Sequence, residues 1–358
     1  MNKSKKIVVI PFVVLGLVTG ALAGLYRIGW IDISTSYTGH HGGLMVGSFL
    51  GTLICMERAV VIKKKLIFLI PLTAGLSGMF FVFNQPIPAK LALIVAGAGL
   101  ASMFIYFYQK SKELYHLVML LGAVCWLTGN VLLLVKNMYP EPTAWWIGFL
   151  FLTIAGERLE LTKFLPMTRV KRLALFSALV IFFAGLIAPF HIWGKYFFAA
   201  GLMIAAIWLL KYDMAGKALK RPGLSRYSAV ALIAGYVWLL TSGLFFFKGE
   251  MAGYLYDAAL HTFFIGFVFS MIFAHAPVIL PGIMGFAFKP YHPALYAWLI
   301  LLHASLAVRI GADLAFNVDL RMWGGMINAI AILAFFVSLG LIVKFGQTKE
   351  SAKVKMAK

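Results

Sequence analysis

HHGGLMVGSFLGTLICMERAV, residues 40–60, opens on two histidines and closes on Glu57-Arg58, with apolar, small or hydroxylic side chains almost throughout between them. A run of roughly 20 such residues is what a helix needs to cross a hydrocarbon core of about 30 Å while satisfying its own backbone. Comparable runs lie at 7–30, 38–61, 66–84, 88–109, 114–136, 144–163, 172–190, 194–212, 226–248, 255–279, 292–313 and 322–345, joined by short polar connectors. With 62% hydrophobic and 12% charged residues, the chain has too few polar groups to clothe a soluble globule. The expected fold is an all-α polytopic membrane protein of about 12 helices, with residues 1–358 as one transmembrane domain and 346–358 as a basic tail.

A formal charge of +20 raises nucleic-acid binding as an alternative. The basic residues instead alternate by membrane side: Lys63 to Lys65, Lys163 to Arg172 and Lys211 to Arg226 fall on connectors that share one side with Lys3 and Lys358. That is the positive-inside pattern, which places both termini in the cytoplasm and makes anionic lipid the natural contact of the longest basic loop. The first run imitates a secretion signal, ending in Ala21-Leu22-Ala23, but its apolar stretch continues to Trp30 and reads as a retained span. Cys55 and Cys125 lie inside predicted spans without metal-ligand spacing and read as small packing residues.

Internal repetition bears on architecture before any single residue does. The sixth span reads WWIGFLFLTIAGERLELTKFLP and the tenth HTFFIGFVFSMIFAHAPVILPG. Laying Gly148-Phe149 on Gly266-Phe267 places Glu157 on His275, and Glu57-Arg58 precedes Glu157-Arg158 by one hundred residues. The spacing predicts three four-helix repeats, at 1–110, 111–212 and 213–345. General habits of membrane helices, in which Gly and Phe are common, are the competing account.

Ionisable groups within a bilayer are costly and tend to line sites. His40, His41 and His261 sit near the start of the second and tenth spans, at one predicted depth, while His116, His191, His292 and His303 read as interfacial or packed. Imidazoles from two helices can clamp a planar cofactor, and two neutral imidazole ligands on haem iron leave no open coordination position, which suits electron transfer. Gly39, Gly42, Gly43 and Gly266 would admit a flat macrocycle, or merely close helix packing. Buried hydrogen bonding remains the other use of these histidines.

Thr38-Gly39-His40-His41-Gly42-Gly43-Leu44-Met45 resembles the second-helix motif of the haem-copper oxidase catalytic subunit, and His41 with Met45 keeps its four-residue spacing. The resemblance implies twelve helices in three arcs and a haem b held between His41 and His261, with His40 and Met45 beside it. It departs where the family binds copper: no histidine occurs between Ala144 and Phe164, and His261 and His275 are fourteen residues apart. Oxygen reduction is therefore not expected. The chain is also similar to the NnrS family of bacterial membrane proteins, which implies haem, a copper option and a link to nitric oxide.

A second group, Glu57, Arg58, Glu157, Arg158, Glu160 and His275, is predicted at the opposite end of the repeated spans. Its readings are a structural lock of neutralising charges, a proton or anion path, or a metal site with His275 as sole nitrogen donor. Pro277 and Pro281 are expected to kink or end the tenth helix, and Thr128, Gly129 and Asn130 to act as packing glue. Asp257, Asp313, Asp319, Arg309 and Arg321 read as solvated loop charges that could meet haem propionates.

These readings converge on a haem-binding protein of the bacterial cytoplasmic membrane, acting in electron transfer or as an oxidoreductase linked to nitric oxide. A secondary transporter built on the inner charges and a cofactor-free respiratory accessory or assembly factor are the alternatives. The predicted partners are the lipid bilayer and a redox partner or small molecule such as nitric oxide, not nucleic acid.

Overall fold

A computed structural model describes residues 8–32, 35–62, 64–165, 167–249, 253–285 and 288–356, leaving the side chains of His191 and 348–356 undescribed. Among the described residues every regular element is helical. The chain forms two compact units, Met1–Phe164 and Leu165–Lys358. Unit 1 holds α1 (Ile10–Arg27), α2 (Gly43–Ile62), α3 (Leu69–Val82), α4 (Pro86–Ser111), α5 (Leu114–Lys136) and α6 (Pro140–Leu161). Unit 2 holds α7 (Arg169–Ile187), α8 (Lys195–Tyr212), α9 (Leu224–Lys248), α10 (Gly253–Met284), α11 (Leu295–Leu314) and α12 (Val318–Met356).

Eleven of the described helices are long and apolar enough to cross a membrane. The remaining expected span is α6, which has 22 residues. Pro140, Glu141, Pro142, Glu157, Arg158 and Glu160 make it less apolar than the others. The protein is thus a multi-pass helical membrane protein. Helix starts follow the sequence: Pro86 and Pro140 occupy first-turn positions where no backbone donor is lost. Lys112 and Asn137 close α4 and α5 in the left-handed region, at φ 56° and 53°.

Where helices have only one another and lipid to pack on, small residues set the approach. In unit 1, Gly16, Gly20 and Gly24 form a stripe along α1, and a Cβ on Gly16 would stand 3.1 Å from the Phe49 backbone nitrogen. Met45 covers Gly20 and His41 covers Gly24, so three positions of the second span seat three glycines. Ser48 and Ser77 share a hydroxyl bond of 2.7 Å between α2 and α3. Asn130 donates to the Leu93 carbonyl and accepts from Trp146, tying α5 to α4 and α6 at 3.0 Å each, so the expected glue is present. In unit 2, Ser242 of α9 donates to the Ala259 carbonyl of α10. Phe273 and Phe335 stack at 3.8 Å between α10 and α12.

The two spans with histidines near their start share a departure from the α-helix. Residues Gly43–Leu50 and Thr262–Phe269 are π-helical before the regular helix resumes. The tenth helix does not end at Pro277 and Pro281: α10 runs through both and closes on Gly285, in the left-handed region. Ser228 of α9 donates to the Ala274 carbonyl at 2.8 Å, tying α9 to α10 beside the prolines. A π-helical irregularity instead begins directly after His261.

Candidate functional site

His41 leaves a one-turn 3-10 helix, Thr38–His40, immediately before the π-helical stretch. Its Nδ1 lies 2.7 Å from the carbonyl oxygen of Gly20 on α1. A peptide carbonyl only accepts, so Nδ1 carries the proton and Nε2 is the basic nitrogen. The bare Gly20-to-Gly24 face makes this contact: a Cβ on Gly24 would come within 2.9 Å of the imidazole Cε1. Met45, four residues on, packs over Gly20 on the same face.

His40 turns elsewhere. Its Nδ1 is 2.9 Å from the Tyr139 hydroxyl, and its ring sits against Phe81 at 4.6 Å. Burial pushes the Tyr139 phenol above its ordinary range, so it stays protonated. The Gly43 backbone amide also bonds to the Tyr139 oxygen. Gly42 and Gly43 accommodate Tyr139, Trp146 and Phe81, which fill the space a macrocycle was expected to use.

In unit 2, His261 Nδ1 lies 2.8 Å from the Asp257 carbonyl one turn earlier and 3.3 Å from the Asp257 carboxylate. Arg309 Nη2 is 3.3 Å from the same nitrogen, but two acceptors, one of them closer, make Nδ1 the donor and leave that arginine contact unbonded. His261 therefore also presents Nε2 as its basic nitrogen. Asp257 is the hub of a charged network, meeting Arg309 at 2.9 Å and Arg321 at 3.2 Å. Asp313, only 1% exposed, lies 2.8 Å from Arg321 Nε, an ion contact in which the N–H is not aimed at the oxygen. The expectation of solvated loop charge is corrected for four of these five residues, because two acids and two arginines compensate one another inside α10, α11 and α12. Asp319 alone is exposed.

The inner charges separate by unit. Arg58 of α2 meets Glu57 at 3.2 Å and pairs with Glu157 of α6, while its guanidinium lies 5.7 Å from the Phe104 ring. Glu160 is near enough for its charge to act on both Glu57 and Arg58, and Arg158 is buried. His275 belongs to α10 in unit 2, where its Nδ1 meets the Met271 carbonyl at 2.6 Å. Among the described residues, no three His, Cys, Asp or Glu side chains gather as a metal ion would require. Cys55 and Cys125 are buried free thiols.

The chain belongs to the DUF8744 family, a domain of unknown function. The family match covers residues 6–343. No curated protein matches the chain, and no solved structure matches it.

Several contacts escaped the sequence reading. The glycines of α1 recur at four-residue intervals, a signal that was present in GLVTGALAG, residues 16–24. Asp257 precedes His261 by one helical turn, which also could have been read. Tyr139 beside His40 carried no local signal, since the two are far apart in sequence.

Proposed function

We propose that the protein is a haem b-binding integral membrane protein serving electron transfer or nitric-oxide-linked redox chemistry, with His41 and His261 as its axial ligands. The observation that carries this reading is that each imidazole, within its own unit, has Nδ1 committed to a backbone carbonyl, at 2.7 Å for His41 and 2.8 Å for His261. Histidines that bind iron through Nε2 are held in this way, because the outer hydrogen bond sets the tautomer and the ring direction. Each also stands at the entrance of a π-helical stretch, a feature frequent at functional sites. Among the described residues no three His, Cys, Asp or Glu side chains gather to offer copper a site. Met45 acts as packing on Gly20 in this reading, and His40 as a hydrogen-bonding partner of Tyr139.

Haem, when bound, supplies one-electron transfer. The chain's own residues hold the ligands: the Gly20 carbonyl orients His41, and Asp257 orients His261. Arg309 and Arg321 hold Asp257 in turn. We further place the chain in a bacterial cytoplasmic membrane with both termini inside, as twelve helices in three four-helix repeats of the haem-copper oxidase and NnrS kind. The π-helical stretches early in the second and tenth spans support a relation between those two spans.

A secondary transporter is the second reading, favoured by Arg58 held between Glu57 and Glu157 with a third acid nearby. The test is a reduced-minus-oxidised spectrum with a pyridine haemochrome assay on the purified full-length chain. Sharp b-type bands that weaken or vanish in both His41→Ala and His261→Ala are the expected result. A colourless protein from haem-replete cells, or bands that survive both substitutions, would sink the haem reading.

A further inference from the structure

Lys90 is the anomaly of unit 1. It sits in the second turn of α4 with only 4% of its surface exposed, yet among the described residues no carboxylate pairs with it. Its ammonium donates to the Asn137 side-chain oxygen, a neutral partner, at the C-cap of α5. An ammonium removed from water without a counter-charge is expensive, and one amide oxygen does not offset that cost.

Two basic charges act here in the same electrostatic sense. The Lys90 charge acts on His40, and that of exposed Arg27 acts on Tyr139. Tyr139 accepts from the Gly43 amide, so its own hydroxyl proton goes to the acceptor within reach, His40 Nδ1 at 2.9 Å. That assignment leaves the proton of neutral His40 on Nε2, making it a further donor. Two long helices, α4 and α6, also begin here, with Tyr139 as the N-cap of α6, and helix starts favour anions. Glu141, two residues past Tyr139, is exposed and makes no ion pair among the described residues. Exposed Asn137 marks the side from which a ligand would enter.

The geometry points to an anion site at this end of unit 1, in which Lys90, Asn137 and His40 receive a compact oxyanion and Tyr139 fixes the His40 tautomer. A free phosphate-like oxyanion and the phosphate of an anionic lipid headgroup share the required chemistry. This inference stands apart from the haem proposal, since neither His41 nor His261 takes part.

The test follows thermal unfolding of the full-length protein in two settings. In uncharged detergent, inorganic phosphate replaces chloride at constant ionic strength; in nanodiscs, phosphatidylglycerol replaces phosphatidylcholine. A ligand that binds only the folded state raises the melting temperature by mass action, here by a few degrees. A gain in phosphate identifies a soluble oxyanion, and a gain confined to phosphatidylglycerol identifies the headgroup. In either case Lys90→Met and Lys90→Gln are expected to abolish the gain, and without ligand to melt at or above the parent, because a buried unpaired charge has gone. Tyr139→Phe is expected to weaken the apparent affinity several-fold. An unchanged melting temperature in both settings, or a full gain retained by both Lys90 variants, overturns the proposal. Should neither Lys90 variant fold, His40→Gln carries the test: loss of the gain supports the site and its retention refutes it.

Discussion

His41 in unit 1 and His261 in unit 2 present the same nitrogen by opposite physical means. His41 is held by packing, its ring pressed to a glycine face whose carbonyl at Gly20 accepts the Nδ1–H hydrogen bond. His261 is held by charge: a carbonyl of its own preceding turn accepts the Nδ1–H hydrogen bond, and the Asp257 carboxylate beside it is pinned by two arginines. Close approach of helices in a bilayer depends on small side chains, whereas buried ion networks depend on every member being present. The two anchors should therefore fail differently.

The largest expected effect follows from that difference. Asp257→Ala removes the shared acceptor of Arg309 and Arg321 and leaves their guanidiniums in a largely buried setting with Asp313 alone. Breaking a buried pair from one side costs about 3–5 kcal/mol, and chemical unfolding of the purified protein should show a loss of that order. A loss under about 1 kcal/mol, the range of an exposed pair, would mean that water reaches the network and that charge is not what holds His261. Replacing Asp257 by Asn should cost less, since the amide still accepts from an arginine.

Gly24→Leu tests the other anchor. A Cβ there already meets the His41 ring at 2.9 Å, so a larger side chain must displace the imidazole or separate α1 from the second span. Overpacking of this kind costs about 1–3 kcal/mol. The expected signature is a moderate loss of stability with a disproportionate loss of any haem signal, because the Gly20 carbonyl no longer meets Nδ1. Equal stability and an unchanged spectrum would show that the stripe merely tolerates His41.

How much of this was legible depends on range. Span positions were readable because apolar run length is a local property, and eleven of the expected helices meet that standard. Asn130 was correctly taken as glue, since a polar residue in an apolar run must find partners among neighbouring helices. Two local rules misled. Pro277 and Pro281 were read as kinking or ending the tenth helix, yet α10 continues through both to Met284. The charges near Arg309 were read as solvated because each lies close to a connector, yet their partners on other helices bury them. The inner residues Arg58 and Glu157 do meet, but their pairing could only be guessed from equal depth. The partners of His40 and His41, Tyr139 and Gly20, lie 99 and 21 residues away, and no periodicity announces them.

The smallest effect sharpens the comparison most. Asparagine places its amide nitrogen near the position of Nδ1 but has nothing equivalent to Nε2, so it separates anchoring from ligation. His41→Asn should keep the bond to the Gly20 carbonyl and recover about 1 kcal/mol relative to His41→Ala, the ordinary worth of one hydrogen bond. His261→Asn should recover less relative to its alanine variant, because Asp257 remains held by Arg309 and Arg321 whatever stands at 261. In both asparagine variants b-type bands should be lost as completely as in the alanine variants, since neither offers a basic ring nitrogen. Bands that persist in His41→Asn with its stability restored would make His41 a clasp for α1, and the unequal anchoring of the two histidines would then mark unequal roles: one imidazole for structure, the other for iron.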